Sequence, residues 1–167
     1  MIKIAITGPE SCGKTTLAEA LNNHFQGDLV EEYARKYLTE KGGEYEFEDL
    51  HEIATTHHQN IKLSQKSIQI IDTDFVLMKV WYDEKFGKTP GKIIEWINDD
   101  LFHLHILCAP DIPWEDDPLR ENREDREELF ERYIEELDRF KKTYIIVTGP
   151  HEKRFEKSLT SIESILK

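Results

Sequence analysis

Eight residues near the start of the chain constrain its fold more than any other stretch: Gly8-Pro9-Glu10-Ser11-Cys12-Gly13-Lys14-Thr15. They fit G-x-x-x-x-G-K-[ST], the pattern of a phosphate-binding loop. The apolar run Ile2–Thr7 before them predicts a strand. The run Thr16-Leu17-Ala18-Glu19-Ala20-Leu21 after them predicts a helix. That strand–loop–helix setting is the one the pattern needs. Gly8 and Gly13 let the backbone turn tightly, and successive N–H groups then face a phosphate at the positive end of the following helix. Lys14 is placed to reach the β- and γ-phosphates, and the Thr15 hydroxyl to ligate Mg²⁺. Gly8, Glu10, Ser11, Cys12, Gly13, Lys14, Thr15 and Thr16 are therefore the expected nucleotide contacts. What receives the phosphate is the open question.

The rest of the chain alternates strand-like and helix-like runs. Strands are predicted at Ile2–Thr7, Asp28–Glu31, Ser67–Asp72, Phe102–Cys108 and Thr143–Thr148. Helices are predicted at Lys14–Phe25, Glu46–Lys66, Asp74–Phe86, Pro90–Asp99, Arg123–Lys141 and His151–Leu166. Thr89 reads as a helix cap with Pro90 in the first turn. Ile68-Gln69-Ile70-Ile71 and Tyr144-Ile145-Ile146-Val147 are near-continuous apolar runs, as in strands buried on both faces. The expected fold is α/β: a five-stranded parallel sheet between two helical layers, in one domain over residues 1–167. Ligands in such sheets bind at the carboxyl ends of the strands, so the candidate site residues are sought there.

Asp72 ends the third predicted strand and reads as the Mg²⁺-side carboxylate, with Thr15 the other metal candidate. Asp74 lies two residues on and is either a second site carboxylate or the cap of the next helix. Glu31-Glu32-Tyr33-Ala34-Arg35 follows the second strand, where an acceptor hydroxyl would lie. Glu32 could take its proton, and Tyr33 and Arg35 could fix a polar, planar substrate. An ordinary acidic helix start fits the same residues. Residues 111–126 carry prolines, acids and Arg120, Arg123 and Arg126 after the fourth strand. They read as a lid whose arginines neutralise the transferring phosphoryl group, or as a solvated charged helix. Trp114 offers a flat face for a planar ring, and Trp81 a wall for the acceptor.

Composition narrows the function classes. The net charge of −12 argues against general nucleic-acid binding and against an anionic membrane surface. No apolar stretch approaches a membrane span, and no secretory leader is evident. Two cysteines, Cys12 and Cys108, make no disulfide framework, which suits a reducing cytosol. The histidines lack zinc-ligand spacing. Cys12 sits inside the loop, where alkylation or oxidation would block nucleotide binding.

Taken together, these pieces resemble the ribosylnicotinamide kinase domain at the C-terminus of bacterial NadR-type NAD-biosynthesis proteins. The matching pieces are Gly8–Thr15, Glu32-Tyr33-Ala34-Arg35, Ile71-Asp72-Thr73-Asp74, Pro110-Asp111-Ile112-Pro113-Trp114-Glu115 with Leu119-Arg120, and Gly149. The resemblance implies a P-loop kinase fold with an arginine-bearing lid, and use of ATP and Mg²⁺. It implies phosphorylation of the 5′-hydroxyl of nicotinamide riboside, a small-molecule partner. Carried over, Lys14 and Thr15 serve the triphosphate, Asp72 the metal shell, Glu32, Arg35 and Asp74 the acceptor, and Arg120, Arg123 and Arg126 the lid. Pro118 departs from the glycine usual before Leu-Arg. The helix-turn-helix and adenylyltransferase parts of those proteins have no counterpart in these 167 residues. A kinase of another nucleoside or small alcohol, and a nucleotide-binding regulatory module, remain alternatives. The oligomeric state is not legible.

Overall fold

Five strands, all parallel, form the centre of the molecule. The computed structural model describes residues 1–63 and 66–167. The strands are β1 (Ile2–Thr7), β2 (Asp28–Val30), β3 (Ile68–Asp72), β4 (Leu104–Cys108) and β5 (Tyr144–Val147), in spatial order β2-β3-β1-β4-β5. The helices between them are α1 (Lys14–Phe25), α2 (Tyr33–Lys41), α3 (Phe47–Lys62), α4 (Phe75–Phe86), α5 (Gly91–Asn98), α6 (Arg126–Arg139) and α7 (His151–Leu166). This is the α/β architecture the alternating pattern predicts.

The apolar strands β3 and β4 bury both faces, whereas the edge strand β5, expected to do the same, is only partly buried at Tyr144, Ile145 and Ile146. Ile68 and Ile70 of β3, with Ile4 and Ile6 of β1, pack under α1 and α7 through Leu17, Leu21 and Ile162. Ile71 and Leu107 face the opposite core, built from Phe75, Met78, Tyr82, Trp96 and Leu137 of the other helical layer. Each large aliphatic side chain buried this way contributes about 1.5–3 kcal/mol of transfer free energy. Alternate residues of one strand therefore serve two cores, which explains why β-branched residues are favoured at nearly every position.

The register decides where the site lies. Ile6 pairs with Asp72 and Thr7 with Leu107, so the β1–α1 loop, the end of β3 and the end of β4 emerge side by side.

Several boundaries differ from the sequence expectation. Tyr33–Lys41 is a helix of its own, ended by Gly42 and Gly43 at φ 89° and 92°. Pro90, not Thr89, caps α5; the Thr89 hydroxyl instead donates to Asp83 at 2.6 Å. Helix α3 runs to Lys62 with Leu63 as its cap; of the longer helix predicted to Lys66, residues 64 and 65 lie outside the described residues and Lys66 is not helical. Residues 109–125 between β4 and α6 are irregular. Among the described residues, no helix is long and apolar enough to cross a membrane.

Candidate active site

The β1–α1 loop has no room for other residues at its first turn. Gly8 has φ 138°, and a Cβ there would lie 2.6 Å from the Cys108 carbonyl oxygen and 3.0 Å from the Cys12 sulfur. Gly13 at φ 81° caps α1, so the loop enters the helix through a left-handed residue. Lys14 Nζ folds back and donates to the Pro9 carbonyl at 2.7 Å. Burial alone would lower the Lys14 pKa, but Cys12, Glu32 and Asp72 raise it above its ordinary value, so the ammonium is charged.

The side chains of Thr15 and Asp72, the two metal candidates, meet. The Thr15 hydroxyl donates to Asp72 Oδ2 at 2.6 Å. Asp72 Oδ1 is buried and has no hydrogen-bond partner among the described residues. Burial, and then the Glu32 carboxylate, push the Asp72 pKa up to about 6, against the pull of Lys14 and Thr15. A buried carboxylate with a free lone pair beside a hydroxyl is the donor set that a hard divalent cation takes up, directly or through its water. The residues present therefore fit Mg²⁺.

The backbone just beyond Asp72 is strained. Thr73 has φ 88°, a rare conformation for a β-branched residue. Two hydrogen bonds hold it: its N–H donates to Ile6 at 3.0 Å, and its carbonyl accepts from buried His57 Nε2 at 2.9 Å. Burial lowers the His57 pKa, so the ring is neutral and its one proton serves this bond.

A cavity of about 260 Å³ opens from the loop. One end is lined by Gly8, Glu10, Ser11, Cys12, Gly13, Lys14, Thr15 and Thr16. The other runs past Glu32 and Arg35 to Tyr45, Trp81 and Glu84, with Leu119 and Arg120 alongside. Trp81 Nε1 donates to the Tyr45 hydroxyl at 2.7 Å, and the two rings meet edge to face.

Irregular residues 109–125 pack over the loop. Ser11 Oγ accepts from the Glu115 N–H at 2.8 Å and from Arg120 at 3.3 Å. Glu10 Oε2 accepts the N–H groups of Glu121 and Asn122 at 3.0 and 2.8 Å. Arg126 donates to the Ser11 carbonyl at 3.0 Å and the Ile112 carbonyl at 3.2 Å. Arg35 pairs with Asp117 at 2.7 Å.

Comparisons with known proteins place the chain in a family and give its fold relatives. A family described as AAA domain matches residues 3–154. The chain belongs to that family. It is 33% identical over 144 residues to the trifunctional NAD biosynthesis/regulator protein NadR of Escherichia coli (strain K12), covering 81% of this chain and 35% of that protein. The chain spans about a third of the length of the curated relatives it matches. As a fold, this AAA domain resembles the crystal structure of NadR protein in complex with NR, with TM-score 0.81 and 21% identity, covering 98% of this chain and 50% of the other. It also resembles deoxyadenosine kinase from M. mycoides with bound dATP, with TM-score 0.64 and 18% identity, covering 97% of this chain and all of the other.

Within this AAA domain, not every residue expected at the site lies there. Asp74 is fully buried and does not line the cavity. Its Oδ1 caps α4, accepting the Leu77 N–H at 2.7 Å and the Thr7 hydroxyl at 3.1 Å, and its Oδ2 accepts from His105 Nδ1 at 2.7 Å. With both oxygens engaged below the loop, Asp74 holds the end of β1 and has no access to an acceptor. Arg123 points to solvent, with Asp116 at 3.7 Å and Glu124 at 3.9 Å. Trp114 lies outside the cavity, its ring near the guanidinium groups of Arg120 and Arg126 at 5.8 and 5.5 Å. Tyr33 packs against Tyr37 instead of lining the cavity. Arg126 reaches the loop backbone without lining the cavity.

Tyr45 and Arg154 were missed by sequence reasoning. Tyr45 sits in the polar stretch Gly42-Gly43-Glu44-Tyr45-Glu46, which carries no periodic signal. Arg154 lies in a helix rich in lysine and glutamate, where one more cation is unremarkable.

Proposed function

We propose that the chain is an ATP-dependent kinase that transfers the γ-phosphoryl group to the 5′-hydroxyl of nicotinamide riboside, giving nicotinamide mononucleotide. The observation that carries this reading is a single cavity that joins the phosphate-binding loop to a carboxylate, Glu32, and then to an aromatic wall, Tyr45 and Trp81. Identity to NadR supports the choice of acceptor. The loop N–H groups and Lys14 bind the triphosphate and stabilise charge on the transferring group. Thr15 and Asp72 would hold Mg²⁺, which supplies charge neutralisation at the phosphates. Glu32 accepts the proton of the attacking hydroxyl; Asp74 is excluded from this role because both its oxygens are engaged. Arg35 and Trp81 bind the acceptor. Residues 111–126 serve as a lid, with Arg120 reaching the phosphates and the cover keeping out water.

A coupled ADP-release assay tests this with Mg-ATP against nicotinamide riboside, the common nucleosides and no acceptor. Stimulation by nicotinamide riboside alone is expected. Stimulation by another nucleoside would keep the chemistry and replace the acceptor. No stimulation, with nucleotide still bound, would reduce the chain to a nucleotide-binding module. Lys14→Ala is expected to lose turnover by at least about 100-fold. Glu32→Gln is expected to lower kcat by about 100-fold or more with the KM for ATP little changed; an unaltered kcat would remove Glu32 from proton transfer.

A further inference from the structure

Arg154 is a charged side chain sealed inside the molecule, with 2% of its surface exposed. Burying a guanidinium costs several kcal/mol unless its donors are satisfied. Here they are. Nε donates to the Gly149 carbonyl at 2.7 Å, Nη1 to the Cys12 carbonyl at 2.9 Å, and Nη2 to the Ala109 carbonyl at 3.0 Å and to the Asp111 carboxylate. The other Asp111 oxygen accepts the Gly149 N–H at 2.7 Å. The four partners come from the phosphate-binding loop, the exit of β4 and the β5–α7 turn, all at the carboxyl edge of the sheet.

The charge of Arg154 does not serve the dipole of helix α7. Arg154 lies one turn into α7, near the positive end of the helix dipole, where a cation is disfavoured. Its contacts run across to other elements instead.

The contact to Cys12 has a consequence for the site. A trans peptide is planar, with its carbonyl and the next N–H on opposite sides. Holding the Cys12 carbonyl therefore turns the Gly13 N–H away from Arg154, and Gly13 lines the cavity. We infer that Arg154 is a positioning residue for the triphosphate: its fork sets the Cys12–Gly13 peptide and locks it to the root of the β4–α6 segment through Asp111. The inference rests on the reading that this loop binds ATP. Lysine cannot reproduce the planar, multi-pronged geometry, so charge alone does not suffice.

The test compares wild type, Arg154→Lys and Asp111→Asn. The readouts are the Kd of AMP-PNP with Mg²⁺ by calorimetry, the KM values for ATP and nicotinamide riboside, and the melting temperature. For R154K, the AMP-PNP Kd and the KM for ATP are expected to rise about 10- to 100-fold, the scale of losing hydrogen bonds to a charged group. The KM for nicotinamide riboside should stay within about twofold, because no Arg154 contact reaches the acceptor end. D111N should show a smaller rise in the same two nucleotide readouts. A merely structural role would reduce the active fraction without splitting the two KM values. An unchanged AMP-PNP Kd in R154K, or an equal rise in both KM values, would overturn the inference. If R154K does not fold, an unchanged Kd in D111N overturns it. A wild-type chain that binds AMP-PNP but phosphorylates no acceptor would instead sink the kinase reading, and the Kd comparison would still decide the role of Arg154.

Discussion

Asp72 and Cys12 carry the largest consequences at the scale of the single residue. The Asp72 pKa is about 6 in the folded chain, raised by burial and by Glu32, against about 3.9 in an unfolded one. A raised folded pKa contributes stability below about pH 4 that is lost as pH rises through about 6. Relative to its protonated form, ionised Asp72 thus destabilises the ligand-free protein at neutral pH, by up to about 3 kcal/mol. Asp72→Asn is expected to melt higher than wild type at pH 7.5 without Mg²⁺ or nucleotide, with the gain shrinking towards pH 4. A lower melting temperature at pH 7.5 would contradict this balance. At Cys12, burial opposes the thiolate, but the Cys108 thiol, Lys14 and Arg154 bring the pKa down to about 7; the Cys108 pKa is pushed well up. Iodoacetamide labelling of Cys12 should therefore accelerate as pH rises through 7, outpace Cys108 and slow with AMP-PNP, as read by peptide mass spectrometry. Equal labelling of both thiols would refute the difference. Lys14, Thr15 and Asp72 were legible because the motif fixes their spacing and a strand end fixes their position. Asp74 was not, because a helix-capping aspartate and a site aspartate look alike in sequence. Its distant partners Thr7 and His105, 67 and 31 residues away, separate them.

Elements differ in how plainly their boundaries are written. Strands β1 and β3 were legible because burial on both faces demands apolar runs, and β5 because its run is apolar and β-branched although it lies at the sheet edge and is only partly buried. Helix α2 was not, because its first residues read equally as site chemistry and its N-cap Glu32 makes no side-chain capping bond. The β4–α6 segment was legible as an interruption, but its anchoring was not: Glu10 lies 111 residues from the Glu121 N–H it accepts. That anchor is testable. Glu10→Ala removes the acceptor for two backbone N–H groups, so the segment should open more often while the cores stay intact. Trypsin is expected to cut after Arg120 or Arg123 about 5- to 10-fold faster, the scale of one lost charge-assisted hydrogen bond, with the melting temperature nearly unchanged. Unaltered cleavage would mean that Glu10 does not hold the segment.

At the scale of the whole molecule, the two helical layers are tied differently. The layer of α1 and α7 closes over apolar side chains, and its buried cation, Arg154 of α7, ties that helix to the loops at the carboxyl edge of the sheet. The opposite layer also contains a buried cation, Lys79 of α4, held by Asp83 at 2.7 Å and by Glu136 of α6 at 2.8 Å. Sequence could not expose this brace, since a lysine at helical spacing reads as surface and its α6 partner lies 57 residues away. The brace joins the helix that follows Asp72 to the helix that follows the proposed lid, so it fixes the walls of the cavity relative to each other. Breaking one side of a buried ion pair leaves a charge without compensation, whereas replacing both sides with apolar groups is often neutral. Lys79→Met should therefore cost up to about 3–5 kcal/mol, since Glu136 would remain largely buried, with one oxygen lacking a partner among the described residues and the other left with the longer contact to exposed Arg139 at 3.5 Å. Glu136→Met should also destabilise, by leaving the ammonium half-served. The double variant should recover much of the loss instead of summing the two, because neither charge then remains. Urea unfolding of the four proteins decides it. Additive losses would mean that Lys79 and Glu136 act independently, and that the layer is held by its apolar core alone.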